Sequence, residues 1–449
     1  MANSLLDDML AAQKQGEPRG VPSICSAHPW VLKAAMRSGA EQLLIESTCN
    51  QVNQFGGYTG MTPADFVTYV HDLAREAGFP PDRILLGGDH LGPNVWQAEP
   101  EASAMPKAEQ LVRDYVAAGY SKIHLDCSMK LGDDPAGPLA VEVSARRAAR
   151  LARAAEETAT QLGREQTLRY VIGTEVPVPG GATEHEEGVT VTSVADVRET
   201  IDVTERAFRR AGLDAAWERV VAVVVQPGVE FGDDFVLPYD PDAARKLATF
   251  IETQPLVYEA HSTDYQTPEA LRALVRDHFA ILKVGPGLTF AFREAVFALA
   301  MMEKELLPAN EQSHIIETLD EIMLVRPAHW RKYYQGDERA LAFKRKYSFS
   351  DRIRYYWPEP EMQRALSRLL TNLAKRSIPL SLLSQFLPVQ FHKVLAGRLT
   401  PRPDALIIDK IQDVLRDYSQ ACHAESIRTN VGSQDYRRTY QSRTRIRKL

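Results

Sequence analysis

The chain has 449 residues, of which 44% are hydrophobic and 25% are charged, as in an ordinary soluble globular protein. Its formal net charge of −6 gives no sign of a general affinity for nucleic acid. The four cysteines form no Cys-x-x-Cys pair, which argues against a disulfide framework or zinc ribbon and favours a reducing compartment. Residues 1–14 lack the basic start and apolar core of a signal peptide, and no run of about 18 apolar residues could cross a membrane. We therefore expect a cytoplasmic protein.

A short apolar stretch that ends in polar residues recurs along the chain, and a helical pattern follows each copy. In the clearest copy, 84–94, apolar and small residues lead to Asp89 and His90 before Gly92-Pro93 stops the extended chain. The predicted strands are 21–26, 42–47, 84–90, 121–126, 169–175, 220–226, 255–261 and 280–285. The predicted helices after them are 29–39, 63–78, 107–118, 144–161, 194–211, 241–252, one that starts at Pro268, and 289–306.

Consecutive strand–helix units of this kind predict an α/β fold, a closed (β/α)8 TIM barrel over residues 1–306. Continuous apolar strands separated by helices favour a parallel sheet that is covered on its faces. A doubly wound open sheet is the alternative, but no Gly-x-Gly-x-x-Gly opens the first helix.

The pattern changes after residue 306, where no further buried strand is predicted. Predicted helices at 315–324, 362–373, 380–387 and 405–418 flank an aromatic and basic stretch at 329–357. We predict that residues 307–423 form a C-terminal helical addition packed on the barrel. Residues 424–449 are basic and have no apolar periodicity, which predicts a disordered, solvated tail.

Polar side chains stand at the C-terminal strand ends, where barrel enzymes carry their functional groups. His90 and His261 come from predicted strands three and seven, which face each other across a barrel. With Glu175, and with Asp126 as a further candidate, they would bind a divalent ion such as Zn²⁺, Mn²⁺ or Co²⁺, which polarises a carbonyl. Asp89 is the first candidate for a catalytic acid/base, and Glu175 is the second. The predicted substrate-binding residues are Ser26, Asn50, Asp126, Gln226, Ser262 and Asp264.

The residues alone leave other interpretations open. The two histidines could be hydrogen-bonded rim residues without a metal. Lys283 could form an imine with a carbonyl substrate, although neither it nor Lys122 stands beside an obvious activating group in the sequence. Cysteines near strand ends could act as nucleophiles, but small buried hydrophobic residues explain them better. The glycine-rich loop 55–60 could approach a sugar or phosphate, yet it lacks the Gly-Lys-Ser/Thr of a Walker motif, so a kinase has no support here.

Long motifs along the chain share a likeness to one family. Among them are Gly87-Gly-Asp-His-Leu-Gly-Pro-Asn94 and Tyr258-Glu-Ala-His-Ser-Thr-Asp-Tyr-Gln266, and the others lie at 25–29, 50–65, 122–126, 173–181, 225–231 and 351–358. Together they closely resemble the Z subunit family of tagatose-1,6-bisphosphate aldolase, GatZ/KbaZ. The likeness runs from about residue 5 to residue 422 and leaves the basic tail outside.

The resemblance implies a fold similar to that of class II, metal-dependent aldolases. In those enzymes a pair like Asp89-His90 supplies an acid/base and a metal ligand, and His261 matches a later metal-binding histidine in position. Their Gly-Gly-Ser phosphate loop after that strand is absent here, and Ser262-Thr-Asp-Tyr stands in its place. Bisphosphate binding is therefore in doubt, while a metal remains compatible with the sequence.

Two functions follow from the resemblance. The first is that of a non-catalytic subunit, which stabilises a class II catalytic partner in galactitol and N-acetylgalactosamine breakdown. The second is that of a metal-dependent enzyme, active by itself, that cleaves or epimerises a ketose or ketose phosphate at C4. Family members have also been labelled tagatose-6-phosphate kinases. Self-association is left open, and no membrane or nucleic-acid partner is expected.

Overall fold

The computed structural model describes residues 5–173 and 189–423, and its centre is a closed barrel of parallel strands. The barrel strands are β1 (Val21–Cys25), β2 (Leu43–Thr48), β3 (Ile84–Leu91), β4 (Lys122–Leu125), β5 (Arg169–Ile172), β6 (Val220–Val224), β9 (Val257–Ala260) and β10 (Phe279–Val284). Around the barrel their order is β1, β10, β9, β6, β5, β4, β3 and β2. Each predicted strand is present and differs from the prediction only at its ends, so the predicted (β/α)8 barrel is confirmed.

The helices that follow the strands begin within about three residues of their predicted starts, except α4, which begins earlier than predicted. An unpredicted antiparallel ribbon, β7 (Glu230–Phe231) and β8 (Val236–Leu237), follows β6. The helices are α1 (Leu5–Lys14), α2 (Pro29–Met36), α3 (Pro63–Ala77), α4 (Glu101–Ala118), α5 (Val141–Gln161), α6 (Val194–Arg210), α7 (Asp214–Trp217), α8 (Pro241–Glu252), α9 (Pro268–Arg276), α10 (Pro286–Leu306), α11 (Ile315–Val325), α12 (Glu338–Tyr347), α13 (Pro360–Ala374), α14 (Leu380–Phe386), α15 (Pro388–Leu395) and α16 (Pro403–Cys422). In the part of the chain that the structure describes, no helix could span a membrane.

Helix α1 closes the N-terminal end of the barrel. Its side chains Leu6 and Met9 are fully buried in an apolar cluster with Val21, Leu44 and Val221 from the barrel strands. This burial removes apolar side chains from water at the lower end of the strands. The C-terminal ends of the strands are therefore the open end, which is where the predicted functional residues lie.

Helix α16 belongs to the ring of helices around the barrel, although it comes last in the described chain. It contacts β1 and also α2 and α9, so it covers the region where β1 meets β10. The N–H of Gly20 donates to the carbonyl oxygen of Cys422 at 2.9 Å, and a Cβ at Gly20 would lie 2.9 Å from the Cys422 sulfur. The predicted domain boundary at residue 306 therefore assigns α16 to the C-terminal addition, although this helix packs on the barrel. The boundary itself stays a prediction.

Two predicted segments lie partly or wholly outside the described residues. One is predicted strand five, at the end of which Glu175 stands, and the other is the basic tail at 424–449. The predicted addition is described up to His423, and it contains α11 to α16.

Candidate functional site

Two lysines and two glutamates form a buried ion network inside the barrel. Lys122 on β4 lies 2.8 Å from a carboxylate oxygen of Glu46 on β2 and 2.7 Å from one of Glu259 on β9. Lys283 on β10 lies 2.6 Å from the other oxygen of Glu46. The Ser23 hydroxyl donates to Glu46 at 2.7 Å. Lys122, Glu46 and Glu259 have no solvent exposure, so each buried charge is held by an opposite charge, as burial requires.

The alternation of side chains along the strands explains why these polar groups share the barrel interior. Successive strand residues point to opposite faces, so Lys122 and His124 on β4 both face inwards, and Asp126 follows on the same side. Gly87 on β3 leaves the space that Glu46 fills, because a Cβ at Gly87 would lie 2.6 Å from the Glu46 Cγ. The polar interior is therefore encoded at every second residue of the strands.

Three histidines meet above this network at the C-terminal end of the barrel. The ring centres of His90, His124 and His261 lie 5.0 to 5.4 Å from one another. Asp89 stands between the histidines and the network, because its Oδ1 lies 2.8 Å from His124 Nδ1 and 3.0 Å from Lys283 Nζ. The site therefore consists of a histidine cluster that lies next to a buried network of lysine–glutamate ion pairs.

Four of these side chains are close enough to hold one metal ion. Asp89, His124, Glu259 and His261 each offer a ligand atom, and these atoms all lie within 4.8 Å of one another. His124 Nδ1 lies 2.8 Å from Asp89 Oδ1 and 3.2 Å from the backbone nitrogen of His90, and in the tautomer that donates from Nδ1 to Asp89 the Nε2 atom is the one able to bind a metal. That Nε2 atom is buried and has no hydrogen-bond partner among the described residues. Histidine nitrogens and carboxylate oxygens suit Zn²⁺ and related ions, so the donor set fits a divalent metal.

The charges at the site shift the pKa values of its groups. Burial opposes the charge of Asp89, but His90, Lys283 and His124 outweigh it and hold the pKa of Asp89 well below its usual value. Burial also opposes the charge of Lys283, but Asp89 and other anions raise the pKa of Lys283 well above its usual value. Burial lowers the pKa of His261 to about 4. Asp89 is thus anionic, Lys283 is cationic and His261 is neutral at neutral pH, which disfavours imine formation by Lys283.

His90 is held beside the metal-binding group by a strained backbone and a carboxylate. Its φ angle is 50°, in the left-handed region, which costs on the order of 1–3 kcal/mol for a non-glycine residue. Its Nδ1 lies 2.9 Å from Asp126 Oδ2. Gly92 permits the close approach of the two backbones beside this contact, because a Cβ there would lie 1.7 Å from the Asp126 carbonyl oxygen. The structure thus brings His90, His261, Asp89 and Asp126 together, while metal ligation by His90 stays a prediction.

The other predicted site residues are spread around the barrel mouth. The hydroxyl of Ser26 accepts the backbone N–H of His28, and the side-chain oxygen of Gln226 accepts that of Gly228. Asn50 is exposed, whereas Ser262 is half-buried with a φ of 53°. Asp264 is buried against the start of α10, and Glu175 lies outside the described residues. Their roles as substrate-binding or catalytic residues stay predictions.

Sequence reasoning named Lys122 and Lys283 but missed their carboxylate partners, and it did not name His124 as a site residue. The carboxylate of Glu46 contacts both lysines and raises the pKa of each, so it stabilises their charged form and does not activate them as nucleophiles. The missing signal was the alternation Lys122-Ile-His-Leu-Asp126, which places the polar residues of β4 on one face.

Comparisons with known proteins give one consistent family. Residues 6–423 match the model of the GatZ_KbaZ-like family, described as D-tagatose-1,6-bisphosphate aldolase subunit GatZ/KbaZ-like. The subunit GatZ of Klebsiella pneumoniae is 54% identical over 94% of this chain and all of its own length, and that of Salmonella heidelberg is 54% identical over 93% of this chain and 99% of its own. A Sinorhizobium meliloti crystal structure, described as a probable tagatose 6 phosphate kinase, superposes with a TM-score of 0.83 at 46% identity, over 90% of this chain and 100% of that one.

Proposed function

This chain belongs to the D-tagatose-1,6-bisphosphate aldolase subunit GatZ/KbaZ-like family, and from this premise we propose that it is the accessory subunit of such an aldolase in the cytoplasm. Its partner is then a class II catalytic subunit, which it stabilises and brings to full activity in tagatose and galactitol breakdown. The observation that carries the proposal is the 54% identity to GatZ subunits over their full length. We further propose that the barrel of this chain binds a divalent metal and a ketose.

The metal proposal is supported by the unpartnered Nε2 of His124 within the group Asp89, His124, Glu259 and His261. A divalent ion bound there would polarise the carbonyl of a ketose. The chain's own contribution is to hold these ligands in place, since Asp89 orients His124 and the Glu259 carboxylate lies 3.0 Å from His261 Nε2. Partners of this kind, which orient ligating histidines, support metal affinity.

The metal proposal is tested by the metal content of variants purified without chelator. We expect His124→Asn and His261→Asn to lower the divalent metal content by about 10-fold or more, because each removes a ligand or its orientation. His314→Asn is the control, since His314 is an exposed residue at the start of α11. Wild-type metal content in both site variants would contradict the proposal, and His90→Asn in the same series tests the predicted ligation by His90.

The partner surface that we propose is an apolar groove on the C-terminal helices, which we call the C-terminal groove. It has a volume of about 490 Å³, and Phe290, Phe297, Tyr347, Phe386 and Val389 are among its lining residues. Tyr347 is 44% exposed and Val389 is 52% exposed, although both are large and hydrophobic. Exposed apolar surface that is concentrated in one place marks a binding site for another protein. The occupant to which we commit is the catalytic aldolase subunit, because the relatives are named as subunits of that enzyme.

Co-purification with a tagged class II tagatose-bisphosphate aldolase tests both the partner and the surface. We expect wild-type chain to be retained, and we expect Tyr347→Glu and Val389→Asp to lower retention by about 10-fold or more, because each places a charge in a buried contact. Leu162→Asp is the matched control, since Leu162 is 46% exposed at the end of α5 and lies outside the groove. If wild-type chain is not retained, the accessory role is wrong. If both folded groove variants bind like wild type, the surface lies elsewhere.

A second candidate function is catalysis by this chain alone at C4 of a ketose. The observation that favours it is the complete buried cluster of Asp89, His124 and His261, which a purely structural subunit does not require. Asp89 would then move the proton at O4 of the sugar, as an acid/base that its neighbours hold in place. Turnover of free hexuloses and their phosphates by the metal-loaded chain would establish this function.

A further inference from the structure

The chain places one of its own carboxylates where (β/α)8 barrels commonly bind phosphate. That position lies beside the loops after the last two strands, at a helix N-terminus with free N–H groups. Here α10 starts at Pro286, directly after β10. The N–H groups of Gly285 and Gly287 both donate to Oδ1 of Asp264, at 2.9 and 2.8 Å. Asp264 is only 3% exposed, so its carboxylate fills the anion position at the start of α10.

This position borders the proposed metal and ketose site. Asp264 lies on the loop that carries His261 at the end of β9, and Gly285 follows Lys283 at the end of β10. The backbone on both sides of Asp264 is left-handed, with φ angles of 53° at Ser262 and 65° at Tyr265. The loop therefore adopts an unfavourable conformation and directs the Asp264 carboxylate towards α10. An anionic group of a ligand placed at the start of α10 would compete with Asp264 for the N–H groups of Gly285 and Gly287.

The groups around Asp264 would suit an anion if its carboxylate were absent. The two N–H groups of Gly285 and Gly287 point to this position, and the positive charge of Arg354 acts on Asp264 as well. Arg354 itself donates to the Tyr355 hydroxyl at 2.9 Å and to the Asp351 carbonyl oxygen at 3.1 Å. These are the parts of a phosphate site, and Asp264 is the group that occupies it.

We propose that Asp264 determines ligand specificity by making the barrel accept a ketose with a free hydroxyl at this end and exclude one with a phosphate there. A hydroxyl can donate to the carboxylate, whereas a phosphate would meet a like charge and find its N–H donors already used. Burial raises the pKa of Asp264 to about 6, so this carboxylate is still largely ionised at neutral pH. The ketose part of this inference rests on the proposed function, whereas the exclusion of phosphate does not.

Binding of inorganic phosphate to metal-free protein tests the exclusion directly. The chelator-treated chain is titrated with phosphate by calorimetry, so that no bound metal contributes to the signal. We expect Asp264→Gly to bind phosphate at least about 10-fold more tightly than wild type, because it frees two N–H groups at a helix start. Asp240→Gly is the matched control, since it removes a carboxylate that caps the start of α8. We expect no gain in phosphate affinity from it, because this position is exposed to solvent. Folded Asp264→Gly with wild-type phosphate affinity would overturn the proposal.

A second arm compares D-tagatose with D-tagatose 6-phosphate on metal-loaded protein, and it does not depend on how well Asp264→Gly folds. We expect wild type to prefer the free sugar by about 10-fold or more, and Asp264→Asn to lose most of this preference, because asparagine can still accept both N–H groups but carries no charge. Tighter binding of the phosphate by wild type, or an unchanged preference in Asp264→Asn, would overturn the proposal. If no variant binds sugar, the ketose ligand of the proposed function is wrong, and the phosphate titration still decides the role of Asp264.

Discussion

Individual residues inside the barrel depend on each other through their charges, and Lys122 is the clearest case. It has no solvent exposure and lies between the carboxylates of Glu46 and Glu259. Replacement by methionine keeps the length of the side chain but leaves two buried carboxylates with less compensation. We expect Lys122→Met to lower the free energy of unfolding by about 3–5 kcal/mol, measured as a lower midpoint of thermal and denaturant unfolding.

Two further variants separate this effect from a general loss of a charge. Arg245→Met removes an exposed cation next to Asp242, and we expect it to leave the midpoint of thermal and denaturant unfolding unchanged. The double variant Lys122→Met/Glu259→Gln should recover part of the stability, because one uncompensated charge is neutralised. Equal stability of wild type and Lys122→Met would contradict the electrostatic role that we assign to Lys122.

At the residue scale, sequence predicted which strand ends carry polar groups but not which groups meet. Asp89, His90 and His261 could be found because they follow apolar strands directly. His124 lies within β4, and only the inward direction of its side chain reveals its role. The pairing of Lys122 with Glu46 and Glu259 joins β4 to β2 and β9, which are not its neighbours in the barrel, so this contact follows from closure of the barrel and not from local sequence.

Among the elements, α16 is the one whose position the chain order does not reveal. It lies against β1, α2 and α9, and its Tyr418 hydroxyl donates to the carbonyl oxygen of Thr263 at 2.7 Å. Its apolar residues Leu406, Ile411 and Leu415 are buried. The helix thus protects barrel surface that a helix earlier in the chain would cover in a simple (β/α)8 order.

Truncation tests this role of α16. A chain that ends at residue 402 lacks α16, and we expect it to lose the cooperative thermal transition and to aggregate, because β1 and its neighbours become exposed. A chain that ends at residue 423 keeps every described residue, and we expect it to retain the wild-type circular dichroism spectrum and transition. A shorter chain that unfolds at the wild-type temperature would show that α16 is dispensable.

The remaining differences between prediction and structure in the elements have local causes. Helix α4 starts at Glu101, whereas the prediction started at residue 107, and Pro106 lies within the first turns of the helix. Helix α12 lies in the aromatic and basic stretch and was not predicted, because its many charged residues leave no regular spacing of apolar residues. Periodicity found the barrel because each strand is buried on both faces, and this is the strongest signal that a sequence of this class carries.

The whole molecule presents two separate surfaces to which we have assigned a proposed function. Helix α1 closes the lower end of the barrel, so a ligand of the proposed function would reach the histidine cluster from the C-terminal ends of the strands. The C-terminal groove is formed by α10, α12, α14, α15 and α16 and is lined by aromatic and aliphatic residues together with the charged residues Arg293, Glu294 and Lys410. The cluster carries titratable groups and the groove carries exposed apolar groups, so the two surfaces suit a small polar ligand and a protein partner respectively.

Variants at the two surfaces should therefore have different effects on the aldolase complex, a loss of function at the groove and little change at the histidine cluster. We expect Val389→Asp to lose the stimulation of the catalytic subunit, measured as tagatose-1,6-bisphosphate cleavage, because the complex no longer forms. We expect Asp89→Asn to bind the partner and to leave that cleavage rate within about twofold of wild type, because the partner's own site performs the reaction. If the chain is instead catalytic by itself, Asp89→Asn would lower its own turnover of a ketose by about 10²–10⁴-fold, as expected for loss of an acid/base. A loss of this size in the complex, with association intact, would contradict the accessory role and assign the chemistry to this barrel.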